Sequence, residues 1–422
     1  MIFVRSKRFW AISALIVQAL FIILTTPASI PVSAGTAEVT SDLFWYPPRL
    51  MSTTADDGAF LPVLRSDASG RLMLMYNQVT DQGIEIPYYR ESLDGGKSWL
   101  QPETAQQSET ALLQATFEFD KDDRAHAVWR TQTGIWHSGE DQWPASANPI
   151  TSTTQLVFSP DIAVAPDDKL HVVWAQQDNH IYHAYSEDKG NNWSLSSAIS
   201  HGTNKSDEPA ISSDQDGNVH VVWEERIYDP DIQNFRYEVH YLPGLTSEIG
   251  VNWAYTPTVL STGIMNARRP AIVARSEAVH VSFASRVSDD AQYAYYVQQT
   301  AGSGWSVPMD VTRGNPVTVN SNIPFVLVPV LALCDGTPYL YFHGALDANG
   351  KEAILGVSSS TGWNSRDYVD AGNVRAIRPS VVCANSKIHI VYETVIKPNI
   401  DHQVYYASGL LHGVYLPVIA RS

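Results

Sequence analysis

Short apolar runs recur along this chain at intervals of about fifty residues, and each ends in an aromatic side chain. They read LMLMY (72–76), AHAVW (125–129), HVVW (171–174), HVVW (220–223), HVSF (280–283), YLYF (339–342) and HIVY (389–392). Runs this short, rich in β-branched and aromatic residues and alternating in several copies, predict strands rather than helices. Outside the first thirty-odd residues, no stretch carries a helical period.

A second apolar run precedes each of these, usually with a proline near its start. The instances are LPVLRS (61–66), SPDIAVA (159–165), EPAISS (208–213), RPAIVA (269–274), IPFVLV (323–328) and RPSVVC (378–383); LQATFEF (113–119) lacks the proline. Turn-forming sequences such as SDASGR and SDQDGN separate the two runs. A variable loop and a third run follow, as in HIYHAYS or AQYAYYVQ, and then a tryptophan that opens a fourth. Such a four-stranded sheet cannot bury both faces alone, whereas a ring of them can. The predicted fold class is all-β: a seven-bladed β-propeller of four-stranded antiparallel blades, with six blades as the alternative. The seventh repeat, 376–408, lacks its tryptophan turn. FWYPPRLMS (44–52) offers Trp45 and a closing strand from the N-terminus, and VYLPVIA (414–420) is the rival for that place.

One eight-residue pattern occurs twice in full: Ser92-x-Asp94-x-Gly96-x-x-Trp99 and Ser186-x-Asp188-x-Gly190-x-x-Trp193. A worn copy, Thr246-x-Glu248-x-Gly250-x-x-Trp253, lies in the fourth repeat, and Trp143, Trp305 and Trp363 mark the same place elsewhere. The pattern resembles the Asp-box, or BNR repeat, of the sialidase superfamily, and the resemblance covers residues 42–408 as repeats. The Asp can accept backbone N–H groups in a tight turn, the Gly permits positive φ, and the Trp packs between sheets. The resemblance implies that these boxes pin blades on the face opposite an active site.

It also implies a glycosidase with an arginine triad that clamps a sugar carboxylate, a Tyr–Glu nucleophile pair and an acid Asp. Guanidinium suits that task because it meets a carboxylate in bidentate fashion. The family's first arginine belongs to an Arg-Ile-Pro motif, and here that place reads Phe60-Leu61-Pro62. This departure argues against standard sialidase chemistry. Other charged residues should gather at the propeller mouth. Strand starts supply Asp207, Glu208, Arg268, Arg269 and Arg378; strand ends supply Arg130, Glu224, Glu225, Arg226, Arg286 and Glu393. They form either a polar funnel for a ligand or a rim of mutual salt bridges. No catalytic residue is assigned. Tyr405 and Tyr406 should face opposite sides of one strand. Residues 225–240 read as a long loop at the ligand edge. Histidines 171, 220, 280 and 389 share one strand position, which marks a structural slot rather than a metal cluster. No metal or cofactor is predicted.

Composition narrows the partners. Hydrophobic residues make up 44% and charged residues 17%, which fits a folded chain. Residues 1–34 carry Arg5, Lys7 and Arg8, an apolar run and small residues Ser33 and Ala34, which reads as a secretory signal peptide, with an uncleaved anchor as the alternative. Its removal leaves 25 basic against 44 acidic residues, a net charge of −19 that opposes nucleic-acid binding. No membrane span is expected afterwards. Cys334 and Cys383 end the first strands of adjacent repeats, so a disulfide is possible, with two buried thiols as the alternative. The tail, 409–422, resembles a short sorting tail of some exported bacterial proteins. The expected product is a secreted or cell-surface monomer that binds an extracellular glycan or protein at its funnel. A glycoside hydrolase with an altered site and a structural scaffold are the alternatives.

Overall fold

Each aromatic-ended run forms the second strand of its own antiparallel sheet, and the sheets number seven. The structure is a computed structural model. It describes residues 43–52, 58–108, 110–247, 250–275, 277–288, 291–314, 317, 327–345, 352–364, 366–369, 375–397 and 401–411. The signal-peptide reading, the 414–420 rival strand and most of the sorting tail fall outside these residues.

Blade 1 comprises Ala59–Ser66, Leu72–Val79, Glu85–Ser92 and Glu103–Thr104, from the axis outward. Blade 2 comprises Leu113–Phe119, Ala125–Arg130, Gly134–Gly139 and Asn148–Ser152. Blade 3 uses Val157–Val164, Leu170–Gln176, Ile181–Ser186 and Ser197–Ala198. Blade 4 uses Lys205–Ser213, Val219–Asp229, Asn234–Ser247 and Gly250–Trp253, with Thr258–Val259 on the third strand as well. Blade 5 is Ala267–Arg275, Ala278–Ser288, Ala291–Thr300 and Met309–Asp310; blade 6 is Val330–Cys334, Thr337–Ala345, Glu352–Ser358 and Asp367–Val369.

Blade 7 joins the two ends of the described chain. Arg375–Ala384, Lys387–Lys397 and Asp401–Leu411 supply three strands, and the N-terminal strand Leu43–Trp45 supplies the fourth, with Leu43 opposite Leu411. The ring therefore has seven blades and an N-terminal closing strand. The last strand runs to Leu411, three residues past the expected boundary at 408.

Blades are held together by aromatic contacts at one repeated place. The tryptophans do not open the fourth strands as the pattern predicts; most sit in the turn before them and reach across to the preceding blade. Trp99 meets Tyr406, Trp143 meets Tyr89, Trp193 meets His137, Trp253 meets His183, Trp305 meets Tyr241 and Trp363 meets Tyr296. Trp45 completes the set against Tyr341, and centroid separations run from 4.8 to 6.0 Å. Such geometries are favourable beyond the area they bury.

Behind these rings lies the recurrent histidine. His220, His280 and His389 hydrogen-bond through Nδ1 with the hydroxyls of Tyr241, Tyr296 and Tyr406 at 2.7–2.8 Å. His126 and His171 occupy the same slot and pair with His137 and His183 at 3.0 and 3.2 Å. Burial lowers the proton affinity of His137 to about 3 and of His171, His280 and His389 to about 4.

The two full Ser-x-Asp-x-Gly-x-x-Trp turns have one wiring scheme. Ser92 Oγ donates to Asp94 and accepts the Gly96 amide; Asp94 accepts the Ser98 amide and hydroxyl. Ser186, Asp188, Gly190 and Asn192 repeat it atom for atom, with the Asn192 amide group in place of the serine hydroxyl. Gly96 and Gly190 have φ of 81° and 85° and lie against Tyr406 and His137 of the preceding blade. Beside Gly190, the Lys189 ammonium lies 2.9, 2.6 and 3.3 Å from Asp120, Asp122 and Asp168, and so fills the one acidic cluster close enough to hold a cation among the described residues. Cys334 and Cys383 form a disulfide between the innermost strands of blades 6 and 7, with Cα atoms 5.3 Å apart.

Two outcomes are expected from this packing. A Cβ at Gly190 would stand 2.0 Å from the His137 ring in a backbone region that disfavours side chains. Gly190→Ala should therefore cost about 2 kcal/mol or more in denaturant unfolding. The buried histidines accept protons more readily once unfolded, so stability should be full above pH 6.5 and fall towards pH 4. Each pKa unit of difference is worth about 1.4 kcal/mol per histidine, and urea midpoints at pH 7 and pH 5 would show the loss.

Candidate functional site

The mouth of the ring is shaped by one backbone irregularity repeated in six blades. Leu61, Gln114, Ser159, Glu208, Arg269 and Arg378 all have φ between 47° and 55°. At each, the pairing of the innermost strand with the second strand slips by a residue. These are β-bulges, and they turn one half-buried side chain per blade toward the axis. In five of the six the next residue is a buried proline, which has no N–H to lose where the ladder is broken. The strand-start prolines seen in the sequence thus mark the site. A non-glycine residue in this region costs on the order of 1–3 kcal/mol and persists only where its surroundings impose it.

Those surroundings are buried acceptors on the neighbouring blade. The residue after each second-strand aromatic is Asn77 in blade 1, Glu224 in blade 4 and Glu393 in blade 7. Their side chains accept the amides of Ala115, Arg269 and Leu61, each at 3.2 Å. Gln114 takes the Ser159 amide at 3.1 Å and Gln292 takes the Leu327 amide at 2.7 Å.

Three arginines at the mouth face carboxylates. Arg268 pairs with Glu224 at 3.0 Å, Arg269 with Glu208 at 2.6 Å and Arg378 with Glu393 at 3.0 Å. Glu393 is fully buried and also meets His402 at 2.5 Å. Burial alone would raise its proton affinity, but His402 and Arg378 hold it below the usual range. Glu208 is raised by burial, against the pull of Arg269.

The space enclosed is a cavity of about 680 Å³, a size that suits a small ligand or the end of a larger one. Phe60, Gln114, Ser159, Glu208, Arg269, His343 and Arg378 line it, as does Asp161. Burial pushes Asp161 up to about 6, while the Ile211 amide and the Arg65 guanidinium pull the other way. A second space of about 580 Å³ continues between the innermost strands, with the Arg65–Glu118 pair at its wall.

The sequence-predicted residues divide into groups. Glu208, Arg269 and Arg378 line the cavity. Arg268, Glu224 and Glu393 brace it from behind through the bonds above. Arg130 donates to Gln114 at 2.5 Å and lies over the Phe158 ring. Asp207 pairs with Lys205 and accepts the Glu208 amide. Glu225 turns into blade 4, where it accepts from Ser206 and the Trp223 indole at 2.7 and 2.9 Å. Arg226 lies over Phe235, and Arg286 stands beside Asn266 at the end of blade 5. The expected loop at 225–240 is a long hairpin, because Val219–Asp229 and Asn234–Ser247 keep pairing to its tip. Tyr406 is buried on His389, and Tyr405 stacks on Tyr392.

Sequence reasoning missed Phe60 as a wall, Gln114, Ser159, Asp161, His343 and His402. Two alignments of the repeats carry the signal: the residue before the strand-start proline, and the residue after the second-strand aromatic.

No family model matches this chain, and no curated protein does. Among solved structures, a Dyadobacter fermentans protein of unknown function aligns over 88% of this chain and 99% of its own, at 12% identity and a TM-score of 0.54. The two share a fold. A Trypanosoma rangeli sialidase in complex with the inhibitor DANA aligns over 83% of this chain, at 10% identity and a TM-score of 0.46. The aligned region spans 55% of that enzyme. The K499G mutant of NanB sialidase from Streptococcus pneumoniae aligns over 86% of this chain and 70% of its own, at 10% identity and a TM-score of 0.48.

Two measurements test the site's wiring. Glu393→Ala removes a partner of Arg378, of His402 and of the Leu61 amide, and should cost about 3–5 kcal/mol in equilibrium unfolding. The Asp161 carboxyl should titrate near pH 6 by carbon-detected NMR. Arg65→Met should move that midpoint upward, since the guanidinium favours the charged carboxylate.

Proposed function

We propose that this chain is an exported, sialidase-like propeller that binds a glycan or protein ligand at its funnel without cleaving it. The observation that carries this reading is the mouth itself: six side chains fixed on strained bulges around a cavity of about 680 Å³. Rigid strands present hydrogen-bonding groups there at little further ordering cost, which is how a preorganised site gains affinity. Phe60 stands where the Arg-Ile-Pro arginine of a sialidase would stand, and Arg268, Arg269 and Arg378 already hold carboxylates. A carboxylate clamp of the sialidase kind is therefore not part of this reading.

One observation favours glycoside hydrolysis as a second reading. Asp161 and Glu208 face the same cavity and both hold protons more tightly than an ordinary carboxylate. A carboxyl kept protonated is what a general acid needs.

A glycan array probed with purified protein, with released sugar assayed in the same wells, separates the two. Binding without release is expected, and Arg269→Ala should weaken it about tenfold or more. Release of a terminal sugar that Asp161→Asn abolishes would replace the binding reading with the hydrolytic one.

A further inference from the structure

We propose that Asp161 is the anchoring group of the funnel, and that its ligand is a sugar chain ending in a hexosamine with a free, protonated amine. The proposal rests on the funnel being a binding site and names the group that site takes.

Three carboxylates line the two spaces along the axis: Glu118, Asp161 and Glu208. Glu118 holds Arg65 at 3.0 Å and Glu208 holds Arg269 at 2.6 Å. Asp161 has no ion-pair partner among the described residues, and Arg65 acts on it only from a distance. It lines both spaces, and it is half-buried rather than sealed. Its carboxyl accepts the Ile211 amide at 3.0 Å, and Ile211 lines the lower space itself, which puts the carboxyl at the cavity wall. The fold does not require a charge there. Asp161 follows the strand-start proline of blade 3, and Ser380 follows that of blade 7. The Ser380 hydroxyl does the same task, accepting the Leu64 amide of the next blade at 3.0 Å. Blades 1, 4 and 5 carry Val63, Ala210 and Ala271 at this place, whose side chains accept nothing. The ring is thus built with a hydroxyl or an alkyl group at this position, and an ion without a counter-ion deep inside it is unfavourable.

The chemistry of the ligand follows from that missing counter-ion. Burial pushes the Asp161 carboxyl up to about 6 and Arg65 pulls the other way, so it is largely ionised at physiological pH. A cation in the cavity would satisfy it, whereas an anionic ligand would be repelled by it and would have to displace Glu208 from Arg269. One free carboxylate is too little for a divalent metal, which takes about six or more oxygens. An ammonium needs only acceptors for its three N–H groups. The rest of the wall fits a pyranose better than a slender lysine side chain. The bulges of blades 1–3 present Leu61, Gln114 and Ser159, all uncharged, and Phe60 stands beside them. They offer hydrogen bonds to sugar hydroxyls and an apolar surface to the C–H face of the ring. A lysine side chain would leave most of the 680 Å³ unfilled.

The test titrates the full chain with glucose trisaccharides that end in glucosamine or in N-acetylglucosamine, and with a short peptide carrying one lysine. Salt is held at about 0.15 M, where exposed charges are screened. Wild type should bind the free-amine end about tenfold or more tightly than the acetylated one. The Asp161 carboxyl should titrate lower in that complex than in the free protein, because a bound ammonium favours the carboxylate. Asp161→Ser keeps an acceptor of the kind Ser380 provides, so it should unfold in urea near the wild-type midpoint and bind the two sugars alike. Asp161→Asn should behave in the same way, and failure of both variants to fold would show a structural group and overturn the proposal. Equal wild-type affinity for the two ends, an unmoved carboxyl titration, or a preference that survives in Asp161→Ser overturns it and leaves the funnel reading intact. Tighter binding of the lysine peptide does the same. Silence on these probes from a protein that binds other glycans overturns this proposal alone, and silence on every glycan and on the peptide overturns the funnel reading with it.

Discussion

The ring depends on the contact between a turn tryptophan of one blade and an aromatic ring of the blade before it. Every blade provides one such tryptophan and receives another, from Trp99 on Tyr406 round to Trp45 on Tyr341. The rest of the outer architecture serves that contact. The serine and aspartate of the full turns set the loop that carries the indole, and glycine lets the loop lie flat on the receiving ring. In five blades, a histidine of the second strand holds the receiving ring from the core side. Stability in such an array resides mainly in nearest-neighbour interfaces, which explains how blades so different in loop length share one ring.

The inner face obeys a different constraint. Near the axis the strands must bend to leave a mouth, and the bulges do this at a cost in backbone strain. Amides released by the broken ladder are collected by buried side chains of the adjacent blade, some neutral and some ionised. The carboxylates chosen for that task, Glu224 and Glu393, then require cations, and Arg268, Arg378 and His402 answer them. The charge at the mouth is thus largely a consequence of how the mouth is built.

Much of the fold was legible because its signals are local. Aromatic-ended runs, prolines and Trp turns each reflect one residue's geometry, and their spacing shows the repeat. Even the closing strand could be read, since Trp45 stands in for a tryptophan that the seventh repeat lacks. The site was less legible because its members act between blades. Glu225 and Glu224 are adjacent and identical in the sequence, yet one turns into the sheet to meet Trp223 and the other braces Arg268, a distinction set by strand alternation at a bulge. Asp161 follows one of the recurring strand-start prolines, yet its sequence does not show that the carboxyl is buried among the innermost strands.

The blade made from both chain ends gives the ring a defined point of weakness. Leu43–Trp45 is a three-residue strand, and its detachment would unseat Trp45 and open the circle at blade 7. The innermost strand of that same blade is tied covalently to blade 6. The disulfide does not span the seam that this detachment opens, since that seam lies between blades 7 and 1. Opening would therefore begin at the periphery, and near the axis the seam is kept closed by Glu393 and Ser380 of blade 7, which accept the Leu61 and Leu64 amides of blade 1. The entropy of bringing chain ends together grows only slowly with the length between them. A short clasp can thus hold a long ring, provided that something near the axis keeps its place.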